Sequence, residues 1–265
     1  MYLSKKKKIS YNYINKDSKK PVLVFLHGLG ANSTTWKGVI SNLKNKNLPI
    51  LYQDLRGHGK SEIFSNYELE EFAKDLNEIL KKEKIKKIIL IGHSLGGMIS
   101  LVFYKLFKNK VRKIILIDTT YKNPVPVWYR YFFYVIDKSM TKIINKIHLL
   151  KKSLNKYRDF YQLKNQPNFS IVLKTMFYRR DKVQLKCIKN LTNFDATNII
   201  KSIEIPTLII GSKYDELFPP KIQKEMHKYI KASKLEIMKG THAIIIKNPD
   251  IISREISSFI KDENQ

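Results

Sequence analysis

Short apolar runs that stop abruptly at small or polar residues most constrain what this chain can fold into. Residues 22–26 stop at His27-Gly28, 48–52 at Gln53-Asp54, 88–91 at Gly92, 114–117 at Asp118 and 207–210 at Gly211. A further run covers 235–238. Each is brief, rich in β-branched residues and apolar at consecutive positions, as a strand covered on both faces must be. Helical patterns alternate with them. Residues 65–80 open with Ser65 and Glu68 at capping-box spacing and place Leu69, Phe72, Leu76, Ile79 and Leu80 on one face. Residues 95–107 read as a second helix. Prolines 219 and 220 open a third, where a missing N–H costs nothing, and 248–260 close the chain as a fourth. The alternation predicts an α/β fold, a doubly wound and mostly parallel sheet.

The alternation breaks between residues 121 and 195, a basic and aromatic-rich stretch with helical patterning. It reads as a helical cap inserted over the carboxyl edge of the sheet. The expected division is a core of 1–120 and 196–265 and a cap of 121–195.

Charge bears on partners. A formal net charge of +27 invites nucleic acid or an anionic membrane surface. Yet of 50 basic residues only Arg56, Arg112, Arg130, Arg158, Arg179, Arg180 and Arg254 are arginine. Dedicated phosphate readers lean on the planar guanidinium fork. A lysine-dominated balance fits compositional bias better, and no nucleic-acid motif is present, so no nucleic-acid partner is expected. The single cysteine, Cys187, excludes an internal disulfide and a cysteine-based metal site. The lysine run at 5–8 has no apolar segment behind it, and no apolar stretch reaches membrane-spanning length. A cytoplasmic setting is the expectation.

Chemistry concentrates at Gly92-His93-Ser94-Leu95-Gly96, a G-x-S-x-G motif with a strand before it and a helix after it. That context lifts a serine hydroxyl clear of the sheet at a helix N-terminus, where developing negative charge is favoured. A serine needs a base, and the base needs an orienting acid. Among His27, His58, His93, His148, His227 and His242, the last follows the final strand at the edge where the serine turn opens. His93 adjoins Ser94, but a sharp turn directs its side chain away. Asp215, past the fifth run, is the preferred acid, since its loop neighbours that of His242. Asp118, past the fourth run, is the rival. The glycine-rich loop after 22–26 offers the amide of Leu29, which with that of Leu95 makes a two-donor oxyanion hole. His27, Asp54, Arg56 and His58 are expected to hold local structure. No metal and no cofactor are expected.

Taken together, "LHGLG", "YQDLRGHGKS", "LIGHSLGGMIS", "IPTLIIGSKYDELFPP" and "KGTHAIIIKNPDIISREISSFI" resemble the segments of the α/β-hydrolase fold family, in order and over almost the whole chain. The resemblance implies Ser94 as nucleophile, Asp215 as acid, His242 as base and 121–195 as a cap. It implies a serine hydrolase of the carboxylesterase kind, cleaving a small-molecule ester or thioester through an acyl-enzyme. A carbon–carbon bond hydrolase and a ligand-binding protein without turnover are the alternatives. Trp128, Phe132 and Phe133 are candidate substrate contacts. An acidic carrier protein or an anionic membrane surface is a candidate partner for the basic cap.

Overall fold

The computed structural model describes residues 8–44, 47–123 and 181–261, with the side chains of 44, 181 and 182 left aside. Within them a seven-stranded sheet runs in the order β1-β3-β2-β4-β5-β6-β7. The strands are β1 Tyr11–Ile14, β2 Val22–Leu26, β3 Ile50–Gln53, β4 Ile88–His93, β5 Val111–Ile117, β6 Thr207–Ser212 and β7 Ser233–Met238. Neighbours pair in parallel from β3 to β7, while β1 lies antiparallel on β3 at the edge.

Period-two alternation splits each central strand between two cores. Val22, Val24 and Leu26 face one layer with Leu90, Ile114 and Leu116; Leu23 and Phe25 face the other with Ile89, Ile91 and Ile115. The first layer is roofed by α2 (Leu69–Lys82) and α3 (Leu95–Phe107). The second is closed by α1 (Lys37–Lys44) and the C-terminal helix Pro249–Lys261, whose Ile252 and Ile256 are fully buried. All five apolar positions read on the face of α2 are buried. Their removal from water is the main force docking that helix, at roughly 25 cal/mol per Å².

The sequence reading needs three corrections here. The edge strand β1 escaped it because Tyr11-Asn12-Tyr13-Ile14 buries only one of its faces and offers no continuous apolar run. Helix α1 and the short helix Ile244–Lys247 were also not read. The capping box at Ser65 does not form. Helix α2 starts at Leu69, Glu68 makes no side-chain cap, and Asn66 instead accepts the Glu68 N–H at 2.9 Å. Tyr67 is the reason: its ring is buried against Gly57 and its hydroxyl accepts the Phe64 N–H at 3.0 Å, which keeps 65–68 out of the helix.

Both ends of the segment read as a cap are pinned together. Lys122 and Asp195 form an antiparallel bridge, Asn123 N–H donates to Phe194 O at 2.9 Å, and Ala196 N–H donates to Tyr121 O at 2.6 Å. Helix α4 (Asp181–Leu191) packs Val183 and Cys187 into the first core layer. Trp128, Phe132, Phe133, Arg130, His148, Arg179 and Arg180 lie outside the described residues. Among the described residues, no helix is long and apolar enough to cross a membrane.

Candidate active site

Strand β4 delivers Ser94 to the carboxyl edge of the sheet, and α3 begins at the next residue. Ser94 has φ +54° and ψ −120°, a region that costs a residue with a side chain on the order of 1–3 kcal/mol. Its surroundings over-determine that geometry. Its N–H donates to Ile117 O at 3.0 Å, and its carbonyl accepts Thr119 Oγ1–H at 2.6 Å and Gly97 N–H at 2.9 Å. The flanking glycines are required by close approach. A Cβ on Gly92 would stand 2.3 Å from Gly96 O, and one on Gly96 would stand 2.2 Å from Leu26 O.

The loop after β7 brings His242 to this serine. Its Nε2 lies 3.0 Å from Ser94 Oγ and its Nδ1 lies 2.8 Å from Asp215 Oδ2. A carboxylate only accepts, so Nδ1 carries the proton and Nε2 accepts from the hydroxyl. Asp215 comes from the loop after β6. Its other oxygen accepts the N–H groups of Leu217 and Phe218 at 2.8 and 3.0 Å, so neither oxygen lacks a donor. The Phe218 ring stands edge-on to His242 at 5.4 Å. The two loops are joined through Tyr214 N–H, which donates to Gly240 O at 2.9 Å. Ser94 and Asp215 are buried, whereas the His242 side chain keeps 15% of its surface open.

The loop after β2 leans on the same serine. A Cβ on Gly28 would meet Ser94 Cβ at 3.2 Å, a tight contact that would press on the serine, so glycine here keeps the loop close without crowding it. Its shape is fixed from below by His27. Leu55 N–H donates to His27 Nε2 at 2.9 Å, which leaves the Nδ1 proton for Gly28 O at 2.8 Å. Burial lowers the pKa of His27 and keeps it neutral. Leu29 follows on this loop, half-buried, and Leu95 is the first residue of α3, where an N–H has no acceptor within its helix.

His93 has a part that spacing did not reveal. Its ring packs against that of His242 at 4.9 Å and donates Nε2–H to the His242 carbonyl at 2.8 Å. Burial pushes this imidazole down to about 3, so it stays a neutral donor. Thr119 was also missed; it holds the Ser94 carbonyl, and no motif marks it. Asp118, the rival acid, does not reach His242 by a hydrogen bond. It accepts Ser212 N–H at 2.7 Å and Ser212 Oγ–H at 2.6 Å. Asp54, Arg56 and His58 do serve local structure: Arg56 makes a bidentate pair with Asp75 at 2.8 and 2.9 Å, and Asp54 gathers Ser33 and Lys60 N–H groups.

Donor atoms of His93, Asp118 and His242 lie within 4.8 Å of one another, close enough to suggest a metal. Each side chain already holds hydrogen-bond partners: His93 Nε2 a carbonyl, the two His242 nitrogens Ser94 and Asp215, and both Asp118 oxygens Ser212. The set is better matched to proton handling than to a cation.

Comparison with known proteins shows the family. The sequence profile of the alpha/beta hydrolase fold family matches residues 21–249. A pimeloyl-[acyl-carrier protein] methyl ester esterase from Wigglesworthia glossinidia brevipalpis is 30% identical over 256 residues, 91% of this chain and 94% of that protein. A 3-oxoadipate enol-lactonase from Acinetobacter baylyi is 24% identical over 94% of this chain and 91% of its own length. Among solved structures, the esterase EaEST from Exiguobacterium antarcticum superposes with a TM-score of 0.78 at 21% identity, covering 97% of this chain and 96% of that one.

Proposed function

Because this chain belongs to the alpha/beta hydrolase fold family and is an ester-cleaving hydrolase, we propose that Ser94 is its nucleophile, His242 its general base and Asp215 the acid that orients the base. The observation that carries this reading is the unbroken line of hydrogen bonds from Ser94 Oγ through His242 to Asp215, at 3.0 and 2.8 Å. Ser94 Oγ attacks the ester carbonyl as its proton passes to His242 Nε2. The tetrahedral oxyanion is held by the amides of Leu29 and Leu95, on the Gly28 loop and at the start of α3. Collapse expels the alcohol, which takes the proton from His242, and leaves Ser94 acylated. Water then gives a proton to His242 and attacks the acyl carbon; the bond to Ser94 Oγ breaks as His242 returns that proton to Oγ, and the acid is released. Asp215 keeps the proton on Nδ1 and stabilises the imidazolium formed in each half-reaction. Residues 121–195 act as the cap that sorts substrates.

The test is hydrolysis of a short p-nitrophenyl ester by wild type and Ser94→Ala. The reading requires near-complete loss of turnover with folding intact. Turnover unchanged in the variant sinks it.

A second reading concerns how the ester is presented. The net charge of +27, with a relative named for an acyl-carrier-protein ester, favours an acyl group delivered on an acidic carrier protein. Electrostatic steering raises association rates and fades with salt. Carrier-bound acyl methyl ester should therefore beat the free methyl ester in kcat/KM at low salt and lose that advantage by about 0.5 M salt, beyond several Debye lengths of screening. Equal rates on both forms at low salt remove the idea.

A further inference from the structure

Asp118 is the buried carboxylate beside the reacting groups for which the proposed mechanism has no task. It ends the fourth parallel strand, β5, with φ +41° and no exposed surface. Both of its oxygens bind Ser212, whose carbonyl in turn accepts the Asp215 N–H at 3.1 Å. An Asp118 oxygen, a ring nitrogen of His242 and one of His93 lie within 4.8 Å of one another. Two buried carboxylates, Asp118 and Asp215, therefore stand close to the imidazoles of His242 and His93.

Bracing Ser212 does not need a charge. An asparagine of the same shape would accept the Ser212 N–H and donate to Ser212 Oγ, without desolvating a carboxylate. The charge is placed where it has an effect only when something positive forms nearby, and the imidazolium of His242 is such a group.

We propose that Asp118 is a positioning residue of the ester-cleaving machinery, a second carboxylate that supports the His242 imidazolium beside Asp215 and sustains it when Asp215 has no charge. The inference rests on the Ser94–His242–Asp215 reading. Among the described residues, the titratable groups facing Asp118 are His93 from β4, Asp215 from the loop after β6 and His242 from the loop after β7. Burial first, and the charge of Asp215 second, raise Asp118 to about 7, while His242 and the Ser212 bonds pull it down. His93 stays neutral in the working range, so it neither competes for nor cancels that charge. Support from Asp118 thus grows as pH rises through neutrality.

The experiment compares wild type, Ser94→Ala, Asp118→Asn, Asp215→Asn and the Asp118→Asn/Asp215→Asn double variant on one p-nitrophenyl ester from pH 5.5 to 8.5, with Tm for each. Asp118→Asn is expected to lose about tenfold in kcat at pH 8.5 and to converge on wild type at pH 5.5, where the wild-type carboxyl is neutral like the amide. Asp215→Asn should remain about a hundredfold above Ser94→Ala, and adding Asp118→Asn should erase most of that margin. A purely structural Asp118 gives a loss that is constant across pH and the same factor in both backgrounds, and that result overturns the proposal. Should Asp118→Asn fail to fold, Ser212→Ala serves instead. Losing the hydroxyl donor makes Asp118 harder to ionise, so the neutral limb of the kcat profile should move to higher pH, and a limb that stays in place overturns the proposal. Full activity in Ser94→Ala overturns the underlying mechanism, a different failure.

Discussion

Two buried polar clusters sit at the carboxyl edge of one sheet, and they are finished differently. Around Arg56 every charge is closed by fixed partners. The guanidinium meets both oxygens of Asp75, the carbonyls of Asn66 and Glu71, and the rings of Phe64 and Phe72 at 4.8 and 5.7 Å. Around His242 the partners are equally specific, but the line ends on a hydroxyl held at φ +54°, with the backbone of the Gly28 loop close beside it. Residue type does not separate the two: both use histidine, aspartate and glycine turns. They differ in that one closes its charges on fixed partners, while the other ends on the hydroxyl of Ser94.

The sharpest break of that comparison is Ser94→Ala. Turnover should fall by about 10⁶, with Tm moving by no more than a few degrees, read by ester hydrolysis and calorimetry. Asp215→Asn follows. Its isosteric amide leaves His242 without the carboxylate that fixes its tautomer, and kcat should drop by about 10⁴ with little change in KM. An unchanged kcat would transfer the acid role elsewhere. Arg56→Ala tests the other cluster. Stranding Asp75 in a buried site should destabilise the protein by about 3–5 kcal/mol in denaturant melts, while the folded fraction keeps its kcat. If the reverse pattern appears, with stability kept and kcat lost, the division between the clusters is wrong.

Smaller effects refine the boundary. Gly96→Ala pushes a Cβ toward Leu26 O and must shift the elbow, so kcat should fall about a hundredfold alongside a loss of stability. Last comes pH. Burial lowers His27 and His93, the latter to about 3, so the unfolded chain binds more protons in acid. Their contribution is therefore complete above about 6.5 and shrinks as pH falls, by about 1.4 kcal/mol per pH unit for each neutral histidine. Tm measured from pH 7 to 4 should decline, and His93→Gln should make the decline shallower.

The parallel part of the fold was legible because strands covered on both faces have no room for polar residues, so their runs stand out. β1 was not, because an edge strand needs only one apolar side. Helix α2 was read with the right face and the wrong start, since nothing local reveals that Tyr67 will be drawn under Gly57. At the site, Ser94, Asp215 and His242 could be gathered because parallel strands deliver their ends to one edge. His93 and Thr119 could not, because their contacts are with backbone carbonyls, which leave no mark on residue choice.

The stitch at Tyr121–Asn123 and Phe194–Ala196 has a further consequence. Because the core holds the two ends of the intervening chain side by side, most of the entropy of closing that loop is settled at the stitch. Doubling its length would cost only about 0.6 kcal/mol more. Evolution can therefore lengthen, shorten or exchange residues 124–180 almost without disturbing the sheet. The sheet itself fixes where the two ends stand, so a change of length between them leaves the strand that carries Ser94 where it is.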